Sequence, residues 1–93
     1  MPTFVFIGHD KPNSVDLRMA TRPAHVEWVK TLGDRMKMAG GMRTDDDSAP
    51  LGSVIVIEAD TLADAKATFA ADPYANAGLW ETTEVRPIML VSL

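Results

Sequence analysis

Two segments of this chain are apolar on both sides of an extended backbone. Thr3-Phe4-Val5-Phe6-Ile7 and Ser53-Val54-Ile55-Val56-Ile57-Glu58-Ala59 are rich in aromatic and β-branched residues and read as strands. Successive side chains of a strand point to opposite faces. Phe4 and Phe6 therefore oppose Val5 and Ile7, and Ile55 and Ile57 oppose Val54 and Val56. A sheet made from such strands needs cover on both faces. The chain has 93 residues, enough for one domain, 1–93. A domain of this size buries only about two-thirds of its unfolded surface, so part of that cover has to come from outside the chain.

The remaining signals order the elements. Gly8 ends the first strand, and the polar stretch His9 to Ser14 follows. Val15 to Met19 reads as a short helical turn with Ser14 as its cap. Pro23 suits the first position of the main helix, where its missing N–H costs nothing. At helical spacing Val29, Leu32, Met36 and Ala39 fall within about 40° of His25's direction, with Trp28 about 60° away. Glu27, Lys30, Thr31, Asp34 and Lys37 take the far side, and Gly40-Gly41 ends the helix. Gly41 to Thr44 is a short strand. A second helix starts at Asp60 or Thr61 and buries Leu62, Ala65 and Phe69. Asp72-Pro73 stops it, because the residue before proline avoids the helical region. Pro73 to Ala77 forms one turn capped by Asp72 and closed by Gly78. The last strand runs from about Thr82 to Leu93, with Pro87 marking an edge position or a bulge.

The order β-α-β-β-α-β predicts an α+β, ferredoxin-like fold, a four-stranded antiparallel sheet with two helices on one face. The other face is expected to be covered by a second copy, giving a homodimer with the two sheets face to face.

Charge and composition narrow the function classes. The net charge of −4 argues against nucleic acid or an anionic membrane as the main partner. The chain has no cysteine, so it offers no disulfide framework, thiolate metal site or cysteine nucleophile. Two histidines do not fill a structural zinc site. No apolar run approaches the roughly 18 residues of a membrane span, and the first residues do not form a signal peptide, so a cytoplasmic protein is expected. Phosphate loops, dinucleotide fingerprints and metal-binding helix motifs do not occur, and the reading is cofactor-free. Asp45-Asp46-Asp47, followed by Ser48 and Pro50, reads as an exposed loop rather than a metal site, since calcium loops alternate their ligands.

Several residues suit acid/base chemistry or ligand binding. His25, placed in the first turn of the main helix, meets the positive end of its dipole, which works against imidazolium; a nearby carboxylate works for it. It is either a general base or a core histidine bonded to a carbonyl. Asp72 at a helix end is either a charge partner or simply the cap of the next turn. Arg18 and Arg22 are either anchors for an anionic substrate or surface residues. Tyr74 either lines a pocket with its hydroxyl or packs. His9 and Pro2 are weaker candidates, Pro2 as the N-terminal base of a tautomerase should Met1 be removed.

The chain resembles the YciI-like (YCII-related) family. The likeness runs through Asp10-Lys11-Pro12, Arg18, Arg22-Pro23-Ala24-His25, Gly40-Gly41, Gly52-Ser53, Asp72-Pro73-Tyr74-Ala75-Asn76-Ala77-Gly78-Leu79 and Val85-Arg86-Pro87. The resemblance implies a dimeric α+β barrel with an active site centred on His25 and Asp72. One branch of the family is similar to enzymes that remove chloride from chlorinated hydroxyquinols. The expectation is an enzyme with His25 as base, Asp72 as its partner, and Arg18, Arg22 and Tyr74 as substrate-binding residues. Isomerisation or elimination on a small aromatic-derived or lactone-like substrate fits that set; a non-catalytic ligand-binding protein is the alternative. One expectation cuts against the pair. If both helices start at the same sheet edge, residues 61 to 72, about 16 Å at about 1.5 Å per residue, carry Asp72 away from His25.

Overall fold

A computed structural model describes residues 1–91, leaving the predicted strand's last residues, Ser92 and Leu93, outside the described part. The elements are β1 (Thr3–Asp10), α1 (Val15–Leu32), a 3₁₀ turn at Gly33–Arg35, β2 (Met36–Arg43), β3 (Pro50–Glu58), α2 (Leu62–Ala70), α3 (Pro73–Asn76) and β4 (Trp80–Ile88). The sheet order is β2-β3-β1-β4, and every neighbouring pair is antiparallel. This is the ferredoxin-like α+β arrangement that the element order predicts.

Strand alternation divides the two faces as expected. Phe4, Phe6, Ile55 and Ile57 are buried against the helices with Leu32, Ala65 and Phe69. Phe6 stacks on Phe69 with ring centroids 5.0 Å apart. Each such side chain contributes about 1.5–3 kcal/mol by leaving water. Gly8 shares the parity of Phe4 and Phe6, and it carries no side chain because a Cβ there would come within 2.9 Å of the Trp80 ring. On the open face Val5, Ile7 and Val54 are half-buried and Met38 is 44% exposed, while Val56 between Val5 and Met38 is buried. Pro87 sits in β4, an edge strand, where a missing N–H costs the sheet little.

The helical segments depart from the expected boundaries. The turn Val15 to Met19 and the helix expected from Pro23 are one helix, and Pro23 lies inside it, eight residues beyond Val15. An internal proline frees the carbonyl four residues earlier, here that of Met19. Ser14 precedes the helix, but its hydroxyl bonds the Pro12 carbonyl instead of capping. The helix stops at Gly33, whose φ of +55° is left-handed, well before Gly40-Gly41. Met36 and Ala39 kept helical spacing, yet they lie in β2, where β3 supplies their backbone partners. Pairing with a neighbour has overridden local preference. The last strand likewise ends at Ile88.

The expected separation of His25 from Asp72 is also corrected. β1 and β3 are antiparallel neighbours, so the helices that follow them run in opposite directions. The start of α1 and the end of α2 therefore share one end of the sheet. From there α3 packs against α1 and brings Asp72 to His25 within a single chain.

Candidate active site

Asp72 precedes Pro73, which starts α3 with its φ already set for a helix. The Asp72 carboxylate caps this turn, Oδ1 accepting from the Tyr74 N–H at 2.9 Å. The same Oδ1 lies 2.8 Å from Nδ1 of His25. The two sequence readings of Asp72 are thus one arrangement, because the cap holds the carboxylate where the imidazole reaches it. The side chains are 13% and 2% exposed for His25 and Asp72. Oδ2 of Asp72 is buried with no hydrogen-bond partner among the described residues, so the carboxylate acts through Oδ1. An ionised carboxylate accepts only, so against it Nδ1 is the donor, and in the neutral ring Nε2 keeps its lone pair.

His25 is ten residues into α1, beyond reach of the dipole at the helix start. Its environment comes instead from Asp72 and two aromatic rings. Tyr74 stacks on the imidazole with centroids 4.1 Å apart and planes at 17°, and Trp28 lies 5.8 Å away. These contacts hold the ring's plane while Asp72 holds its rotation.

Between α1 and the β2–β3 half of the sheet lies a cavity of about 500 Å³, lined among others by Arg18, Arg22, His25, Ser53, Ile55 and Tyr74. That volume suits a small organic molecule. The two arginines differ sharply. Arg18 is buried, its Nε donating to Asp10 Oδ2 at 2.8 Å and its Nη2 to Asp10 Oδ1 at 3.2 Å. Nη2 also donates to Ser53 Oγ at 2.8 Å. Arg18 lies over the Tyr74 ring, 4.8 Å from its centroid. It is therefore neutralised and fixed. Arg22 is exposed at the cavity rim and has no carboxylate partner among the described residues. Burial pushes the Tyr74 phenol above its ordinary range, against the pull of the Arg18 and Arg22 charges, so its hydroxyl stays protonated.

Ser53 and Asp10 belong to this cluster although sequence reasoning assigned them no role. Ser53 shares the parity of Ile55 and Ile57, and a polar residue on the helix-covered side of a central strand requires a buried partner. That signal was present in the sequence. The other candidates lie elsewhere: His9 is exposed beside Thr82, and Pro2 lines a separate depression with Lys37 and Glu58. In the acidic loop Asp47 pairs with Arg43, and Asp46 accepts from Thr44 and Ser48. Among the described residues no cluster of three His, Cys, Asp or Glu side chains is arranged to hold a metal, and no helix is long and apolar enough to cross a membrane.

The fold has counterparts among known proteins. The family model described as the YCII-related domain matches residues 3–89, and the chain belongs to that family. Protein YciI of Escherichia coli is 35% identical over 95 residues, covering 95% of this chain and 97% of its own. Among solved structures, the 5-chloro-2-hydroxyhydroquinone dehydrochlorinase TftG of Burkholderia phenoliruptrix, in complex with 2,5-dihydroxybenzoquinone, superposes with a TM-score of 0.82. It is 25% identical, with 90% of each chain covered. An antibiotic biosynthesis monooxygenase, at 13% identity and a TM-score of 0.58 over 99% of this chain and all of its own, shares the fold.

Proposed function

We propose that this protein is a small enzyme that uses His25 as a general base on an oxygenated, aromatic-derived or lactone-like substrate. The observation that carries the reading is the His25–Asp72 pair at the cavity wall, with Nδ1 committed to the carboxylate and Nε2 unengaged by the described residues. Nε2 takes a proton from an acidic O–H or C–H of the substrate. The electron pair left behind forms a new π bond. In an elimination chloride departs with the C–Cl pair, or a hydroxyl departs with its C–O pair and takes the proton back from the imidazolium to leave as water; in an isomerisation the imidazolium returns the proton at another carbon. Asp72 holds the productive tautomer and balances the imidazolium. Arg22 attracts an anionic group, Arg18 holds the cavity wall, and Tyr74 positions the imidazole. The likeness to TftG supports elimination from a hydroxylated ring.

The test is a chloride-release and absorbance assay on chlorinated hydroxyquinols, extended to small hydroxylated lactones. His25→Ala is expected to lower turnover about 10²–10⁴-fold, the usual worth of a positioned base. Unchanged turnover would remove His25 from the mechanism. Binding by the wild type without any turnover would make the protein a ligand-binding module.

The open sheet face supports a homodimer as the working form. Val5, Ile7, Val54 and Met38 would lie at its centre. Val54→Lys is expected to give monomers by light scattering. A wild type that is itself monomeric would reject the dimer.

A further inference from the structure

We infer that Ser53 supplies the hydrogen-bond donor that grips the substrate's carbonyl or enolate oxygen, a role that rests on the functional reading above. Ser53 is 3% exposed, lies on β3 and lines the same cavity as His25 and Arg22. Its Oγ is 2.8 Å from Nη2 of Arg18. Guanidinium has no acceptor, so in that bond Ser53 can only accept. A hydroxyl has one proton to donate, and that of Ser53 is not engaged by any described residue. Of its surroundings, the cavity offers it an acceptor once a ligand is bound.

Three features make this hydroxyl more than a filler. A bond accepted from a cation polarises the O–H and strengthens it as a donor. Asp10 holds the guanidinium through two bonds, so the direction of the Arg18–Ser53 bond is set before a ligand arrives. Asp10 also cancels the Arg18 charge, so the Ser53 donor attracts an oxygen without demanding a second anionic group. Preorganised donors aimed at developing negative charge need no reorganisation during reaction. The cavity thus presents an acceptor for a proton at His25 Nε2 and a donor for an oxygen at Ser53. A ring or lactone bearing an acidic hydroxyl conjugated to a carbonyl meets both. When His25 removes the proton, charge moves through the conjugated system onto the oxygen that Ser53 holds. Arg18 and Asp10 do not touch the ligand in this arrangement; they position Ser53.

The test compares two probes by absorbance or calorimetric titration of the folded protein. 2,5-Dihydroxybenzoquinone carries carbonyl oxygens, and hydroquinone carries only weakly accepting phenols. Ser53→Ala is expected to weaken binding of the quinone about 10- to 100-fold and of hydroquinone less than about 3-fold. Ser53→Cys, which keeps the shape with a poor donor, is expected to reproduce the selective loss should the alanine variant fold badly. Equal loss for both probes would reduce Ser53 to a strut for Arg18 and overturn the inference, as would no loss for either. A wild type that binds neither probe would instead reject the substrate class on which the inference stands.

Discussion

The loop around Asp46 and the polar cluster beneath α1 are built from the same side chains, namely arginine, aspartate and a hydroxyl. In the loop every partner is local. Arg43 pairs with Asp47 four residues away, and Asp46 accepts from Thr44 and Ser48, two residues to either side. In the cluster the partners are 8, 35 and 47 residues apart, as in Arg18–Asp10, Arg18–Ser53 and His25–Asp72. The loop is exposed, so water screens its charges and an ion pair there is worth about 0–1 kcal/mol. The cluster is desolvated, and removing one charge strands its partner. Local pairing shapes a turn. Distant pairing ties a chemical site to the fold, so the site exists only when the whole chain is folded.

That contrast can be broken most directly at Asp10. Asp10→Ala leaves the buried Arg18 charge unpaired and is expected to destabilise the protein by about 3–5 kcal/mol in urea unfolding. A loss below about 1 kcal/mol would mean that the cluster behaves like the loop. Asp72→Asn removes a charge-assisted bond and is expected to cost about 1–3 kcal/mol. It should also lower the population of the Nδ1–H tautomer of His25, read from imidazole ¹⁵N shifts; an unchanged tautomer would uncouple the pair. Tyr74 sharpens the comparison from the alkaline side. Its folded-state pKa is raised above the ordinary 10.0 by burial, so its contribution to stability is full below that value. The contribution is lost as pH rises through the higher folded value, and alkaline unfolding with Tyr74→Phe as control measures it. Asp47→Ala in the loop is expected to change stability by less than about 1 kcal/mol. The smallest effect belongs to Asp46, whose carboxyl is held at about 2 by the Ser48 and Thr44 hydroxyls. Its contribution is present above the ordinary 3.8 and lost only as pH falls through about 2, which carboxyl ¹³C titration follows.

Legibility followed the same division between local and distant. The two central strands, the α2 stripe of Leu62, Ala65 and Phe69, and the cap at Asp72 were readable because each depends on neighbours in sequence. The bounds of α1 were not. Pro23 looks like a helix start, and Met36 and Ala39 continue the helical spacing, but β3 claims the latter as strand. Of the candidate site, His25, Asp72, Arg18, Arg22 and Tyr74 could be named as residue types. Their partners could not: Arg18 lines the cavity while bonded to Asp10 and Ser53, eight and thirty-five residues away. Ser53 was marked by a polar side chain on a buried parity.

By itself the sequence determined the α+β order, the two-sided apolar strands, the acidic turn and the kinds of side chain available for chemistry. These follow from backbone preference and from spacings of a few residues. Tertiary structure alone decided that His25 and Asp72 meet in one chain. Antiparallel pairing of β1 with β3 turns the two helices in opposite directions, so the end of one reaches the other. That pairing joins segments more than forty residues apart, and no local preference encodes it.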